Sequence, residues 1–274
     1  MALVVLVAGF GIAWAIVSSF GGSGKSKPAT TVVLAPHQFK VVFPEGFTRA
    51  QMAQRVNAVA QIARNERGRE PALNGRAYLR LTSAGRREPG FGRKRYPLEG
   101  FLFPATYDFT VHTTSAQLVA QQLDAFRRNW AKVNLRYARS KNLTPYDVLM
   151  IASMIERETA APEERQLVAA VIYNRLHLHM PLGIDATLRY GLHIPPTESI
   201  HQSQLASTSP YNTGKRPGLP PTPIANPGLA SIQAAAHPAH VDYLYYVRKP
   251  DKKHHFFTAS VAAFERYKAE HGYR

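Results

Sequence analysis

Two glutamates separated by one arginine, Glu156 and Glu158, close a run from Thr144 to Thr159 that carries the chain's best acid–base chemistry. The run reads as a helix: Thr144 suits the N-cap, Pro145 the first helical position, and Asp147 the positive end of the helix dipole. At about 100° per residue, Val148, Ile151, Ala152 and Ile155 share one face, with Leu149 at its edge. Glu156 then lies roughly 70° from the centre of that apolar arc, and Glu158 roughly 90° away on the opposite flank. This makes Glu156 the better candidate for a partly desolvated carboxylate. Partial burial raises a carboxyl pKa toward the value a general acid needs near neutral pH. Taken alone, the pair reads more simply as a solvated helix end.

A third carboxylate, Asp185, sits in Met180–Tyr190, a loop leading into a short helix. The 11 histidines include His177-x-His179 and His254-His255 but no His-Glu-x-x-His, so no metal site is expected. There is no cysteine, which excludes disulfides and thiolate ligands, and no cofactor motif is present.

The elements that must position these groups form an α+β pattern. A strand at Phe39–Phe43 leads through Pro44-Glu45-Gly46 into a helix whose Thr48 and Gln51 have capping-box spacing. Asn74-Gly75 reads as a tight turn before a strand at Tyr78–Leu81, and basic, glycine-rich Arg86–Arg95 as a mobile loop. Leu98–Phe109 reads as an extended aromatic segment, and Gln117 to about Arg139 as one long amphipathic helix. A second central helix starts at Pro162-Glu-Glu, with Val168, Val171 and Ile172 on one face. Proline-rich 209–228 reads as a rigid loop, and Asn226-Pro227 as the start of a helix ending at His237-Pro238. Tyr243–Val247 and His255–Thr258 read as paired strands, followed by a helix capped by Ser260.

At the other end, Ala2–Phe20 is uncharged and long enough to cross a bilayer, and the following Gly-Gly-Ser-Gly is a flexible linker. An uncleaved anchor is expected rather than a signal peptide. Lys25 and Lys27 follow the span with nothing basic before it, so charge alone would place the main domain in the cytoplasm and orientation has to come from function. The net charge of +16 suits an anionic membrane surface, an acidic wall polymer or nucleic acid. No nucleic-acid-binding signature accompanies it, so no nucleic-acid partner is expected.

Several segments occur in an order that points further: Ile151–Thr159, Val171-Ile-Tyr-Asn-Arg-Leu176, Ser209-Pro-Tyr-Asn-Thr213, Gly218-Leu-Pro-Pro221 with Asn226-Pro-Gly228, Ala235-Ala-His-Pro238, and Tyr243–Val247 before His255-Phe-Phe-Thr. Together they resemble the MltG (YceG-like) family of endolytic murein transglycosylases. The resemblance implies an anchor over 1–22, a linker over 23–36, a LysM-like domain over 37–97 and a catalytic domain over 98–274. It implies an enzyme held at the outer face of the cytoplasmic membrane that cuts nascent peptidoglycan strands between N-acetylmuramic acid and N-acetylglucosamine, working beside cell-wall synthases. It implies Glu156 as the catalytic acid and then base, and substrate contacts at Tyr173, Asn174, Asp185, Thr187, Tyr211, Asn212 and Pro220. The chain departs from the family pattern at Gly183-Ile-Asp-Ala-Thr187, where a glutamine and a proline are replaced, and at Gly214, where a tyrosine is common. Two alternatives remain: a hydrolase using Asp185 as a second carboxylate, and a peptidoglycan-binding scaffold without activity.

Overall fold

The structure, a computed structural model, describes residues 38–273. The expected anchor and linker lie outside these residues. Strand β1 (Phe39–Val42) buries Phe39 and Val41 and exposes the alternate positions, the period-two pattern of a half-buried strand. Helix α1 (Arg49–Arg67) starts at the expected capping box, in which Thr48 and Gln51 satisfy each other's backbone N–H. Left-handed Gly68 closes it.

The strand expected at Tyr78–Leu81 is instead part of helix α2 (Gly75–Ser83). Asn74 is its N-cap, accepting from the Ala77 N–H at 2.9 Å, so the Asn-Gly pair opens a helix rather than a hairpin. Strand β2 (Thr106–Phe109) then pairs antiparallel with β1, Phe39 opposite Phe109. This strand–helix–helix–strand unit runs to Phe109, so its ladder crosses the boundary expected between residues 97 and 98.

The segment Arg86–Arg95 is pinned rather than free. Glu88 is buried and accepts two hydrogen bonds from Arg127, at 2.8 and 3.1 Å, while Phe91 packs against Phe101, Phe126 and Trp130. The long helix expected to run to Arg139 is split into α3 (Ser115–Trp130) and α4 (Arg136–Ser140). The Asn134 side chain accepts from the Arg136 N–H and starts the second piece, as asparagine does at a break.

Helix α5 (Pro145–Glu158) has the expected Thr144 cap, with Asp147 returning a bond to the cap's own N–H. Its apolar arc is wider than the sequence pattern suggested: Tyr146 and every residue from Val148 to Ile155 are buried. The helix packs against α6 (Arg165–His177), α7 (Asp185–Leu192) and α9 (Leu229–Ala236). A 3-10 turn over Pro162–Glu164 joins α5 to α6. Between α7 and α9 run short α8 (Gln202–Leu205) and the proline-rich loop, bonded to α5 where the Ile224 N–H donates to buried Ser153 Oγ at 3.0 Å.

Gly228, not Asn226, occupies the N-cap of α9. Asn226 is fully buried and used otherwise: its Oδ1 accepts from the Gly100 and Leu102 N–H groups, and its Nδ2 donates to Phe47 O and Glu99 Oε1. Strands β3 (Tyr245–Arg248) and β4 (His255–Thr258) form the expected hairpin, and α10 (Val261–Glu270) is capped by Ser260.

Candidate active site

The two glutamates at the end of α5 face different surroundings. On one flank, Glu156 Oε2 accepts from the Gly228 N–H at the start of α9, at 3.0 Å. This contact ties the end of α5 to the start of α9. Gly46 lies against the same side chain, and a Cβ there would sit 3.6 Å from Glu156 Cγ. Glu45 joins the group: its Oε1 occupies the space a Gly228 side chain would need, only 1.8 Å from where a Cβ would fall. Burial and the neighbouring Glu156 charge raise the Glu45 pKa, with Arg165 opposing.

Behind this flank lies Glu99, fully enclosed, which accepts from the Arg49 N–H, Asn226 Nδ2 and Tyr190 Oη at 3.0, 2.9 and 2.9 Å. Burial pushes its carboxyl up to about 7 against the pull of Arg49 and of these donors. The network fastens α1, the Leu98–Leu102 segment, α7 and the start of α9 to one another.

On the other flank, Glu158 is half-buried, and burial raises its pKa. The nearby Asp185 charge raises it further, while the Tyr246 hydroxyl, donating to Oε2 at 3.2 Å, and the charges of His255 and Arg248 pull the other way. Glu156 is half-buried, as its helical phase suggested, and Glu158, on the opposite flank, is half-buried as well. The sequence argument measured angle from an apolar arc on an isolated helix; here the β3–β4 hairpin covers the far flank and removes water from it.

Tyr246 is itself buried enough, and close enough to Glu158, that its phenol stays protonated well above its ordinary range. The hairpin that carries it is held from behind by a buried pair: Glu164 accepts from the His255 backbone N–H at 2.9 Å and pairs with its Nδ1 at 2.7 Å. The His255 and Phe257 rings both pack against Tyr246. Arg175 reinforces the hairpin by donating to Leu244 O and, through its other end, to Leu182 O just before α7.

The expected substrate residues divide into three groups. Asp185 is exposed in the first turn of α7, with its charge felt at Glu158. Thr187, Tyr211 and Asn212 hold loops in place: Thr187 and Thr213 hydroxyls meet at 2.9 Å, Tyr211 Oη meets Thr222 Oγ1 at 2.8 Å, and Asn212 Nδ2 donates to Leu205 O and Ser207 O. Pro220 is buried in the same loop region. Tyr173 and Asn174 bond elsewhere, Tyr173 Oη to Ala235 O and Asn174 Nδ2 to the Val241 and Tyr243 carbonyls. Glu45, Glu99, Tyr246 and Asn226 carry the geometry without having been singled out from sequence. The Tyr243–Val247 and Asn226-Pro-Gly segments were visible as motifs, but nothing in them says which side chain turns toward a glutamate.

A mixed α+β protein with an elevated carboxyl at a half-buried helix end, a neutral phenol upon it and a carboxylate beside it has the parts of a glycan-cleaving site. The sequence profile of the YceG-like family matches residues 23–270, and the chain belongs to that family. It is 38% identical over 157 residues to a Bacillus subtilis protein named endolytic murein transglycosylase, covering 57% of this chain and 43% of that one. A Streptococcus pneumoniae protein of the same name is 36% identical over 184 residues, 65% of this chain and 33% of that one. The matched segment thus spans less than half of each relative. The crystal structure of a YceG-like protein from Listeria monocytogenes matches with a TM-score of 0.69 and 29% identity, covering 84% of this chain and 76% of that one.

Proposed function

We propose that this protein is an endolytic peptidoglycan lytic transglycosylase, and that Glu158 is its acid and base. The observation that carries the residue assignment is the raised, half-buried Glu158 carboxyl under the Tyr246 hydroxyl. A protonated Glu158 gives its proton to the oxygen between N-acetylmuramic acid and N-acetylglucosamine as that bond breaks. The carboxylate left behind takes the proton of the muramyl C6 hydroxyl, whose oxygen closes on C1 to form the 1,6-anhydro ring. One group serves both halves because burial raises its pKa and favours the acid form, while the Tyr246 hydroxyl favours the carboxylate. Tyr246 steadies the carboxylate between the two transfers.

Glu156 in the donor role is the competing assignment, supported by the family resemblance; its Oε2 accepts from the Gly228 N–H. A second reading of the reaction is hydrolysis, with Asp185 activating water beside Glu158, and it is favoured by the charge coupling of those two carboxyls. The names of the Bacillus and Streptococcus relatives favour transglycosylation. The reading includes an anchor over 1–22 holding the domain at the outer face of the cytoplasmic membrane, glycan contact by a LysM-like unit and association with wall synthases.

Mass spectrometry of uncrosslinked strands digested by the full chain tests the proposal. Products one water lighter than hydrolytic fragments support transglycosylation. Full-mass reducing ends establish hydrolysis, and intact strands that remain bound establish a scaffold.

A further inference from the structure

Tyr173 and Asn174 do not face Glu158, yet they line a cavity of about 620 Å³ with Tyr137, Lys141, His177 and His179. The cavity lies where the α4–α5 connection meets the end of α6. Leu143, also on its wall, precedes the N-terminus of α5, whereas Glu158, at the end of that helix, lies 15 residues further on. At 1.5 Å per residue the two lie about 20 Å apart along the helix axis.

The chemistry of the wall is one-sided. No aspartate or glutamate contributes to it. Lys141, His177 and His179 are exposed, and none of them makes a side-chain hydrogen bond or ion pair among the described residues. The Lys141 ammonium instead rests 5.6 Å from the centre of the Tyr137 ring. That ring packs 5.8 Å from Tyr173 and 5.6 Å from His240, which holds it as a rigid aromatic surface. Both Asn174 N–H groups are engaged, which leaves its Oδ1 as an acceptor at the wall.

We infer that this cavity is a distal subsite that takes a carboxylate-bearing peptide stem of the glycan strand, several sugars from the bond being cut. The inference rests on the glycan reading of the Glu158 site. Lys141 and the two histidines meet the stem's carboxylate, the Tyr137 ring takes an apolar sugar or peptide face, and Asn174 Oδ1 accepts from an amide N–H. A contact at this separation exists only for strands that extend well past the cleaved bond, so it favours cutting inside a strand over trimming its end.

The test measures binding of uncrosslinked strands, with and without their peptide stems, to full-length Glu158→Gln protein, so that cleavage is not required. Adding Lys141→Ala, or His179→Asn to keep the left-handed backbone at that residue, is expected to weaken binding of stem-bearing strands about tenfold, the size of one lost charge-assisted contact. Stem-free strands should bind both forms equally. Equal affinity of the two forms for stem-bearing strands, or an equal loss with stem-free strands, overturns the inference. If the wild-type chain cuts nothing but Lys141-dependent binding persists, the catalytic reading fails and the subsite stands.

Discussion

Glu156 and Glu158 are two residues apart on one helix, and the two flanks of α5 use the same side chain for opposite ends. The Glu156 flank is fastened: a backbone N–H at the start of α9, a close-packed glycine at residue 46, and behind them the Asn226–Glu99 network. The Glu158 flank is covered more loosely by a hairpin that supplies one hydroxyl and withholds water. Burial and the nearby Asp185 charge raise the Glu158 pKa, while the Glu156 carboxyl is tied to a backbone N–H. The difference teaches that helical phase alone does not set a glutamate's surroundings; what packs over each flank does.

Breaking the fastened flank should cost stability before it costs chemistry. Asn226→Ala leaves the Gly100 and Leu102 N–H groups and Glu99 buried with partners missing, and is expected to destabilise the protein by about 3–5 kcal/mol in thermal or denaturant unfolding. A loss under about 1 kcal/mol would mean that this network is not what holds the flank.

The same flank should write its pH dependence into stability. Glu99 is raised to about 7, so the native state keeps its proton while the unfolded chain releases it. Stability should therefore fall as pH rises from about 4.5 to about 7, by on the order of 3 kcal/mol, and level off above that range. Glu45 and Glu158, also raised, act with the same sign. Glu99→Gln should flatten most of the slope, and unfolding curves at several pH values will show whether it does.

On the Glu158 flank, Tyr246→Phe removes the hydroxyl that favours the Glu158 carboxylate. The alkaline limb of the kcat/KM profile should move to higher pH, and kcat should drop about tenfold, equivalent to ~1.4 kcal/mol, because the carboxylate needed for ring closure loses a donor. An unmoved limb would separate Tyr246 from the reaction. The smallest effect is expected at Glu45→Gln. Only a neighbour of Glu156 changes, so the rate should stay within about twofold of wild type, well below 1 kcal/mol.

What the sequence disclosed follows from where the deciding contacts lie. Thr48, Thr144 and Ser260 were legible because a cap is settled within four residues. The β3–β4 hairpin was legible from two β-rich runs around a polar turn. Asn74 and Asn226 misled because asparagine serves turns, caps and buried networks alike, and only tertiary neighbours choose: the Ala77 N–H for one, Glu99 and two distant backbone amides for the other. Arg86–Arg95 looked mobile because the Arg127 that anchors its Glu88 lies 39 residues away. The glutamates were found by type and spacing, but the Tyr246 hydroxyl that reaches Glu158 lies on a hairpin some 90 residues further on and could not be assigned to it from sequence.

The central claim is that Glu158 moves the protons and Glu156 holds the helix. The direct measurement is the initial rate of strand cleavage by Glu158→Gln and Glu156→Gln proteins, each verified as folded by its thermal midpoint. Glu158→Gln should lose about 10³-fold in kcat, the scale of general acid–base catalysis, while Glu156→Gln stays within about tenfold of wild type. The reverse pattern, with Glu156→Gln inactive and Glu158→Gln cutting near the wild-type rate, would contradict the account and return the chemistry to the Gly228 flank.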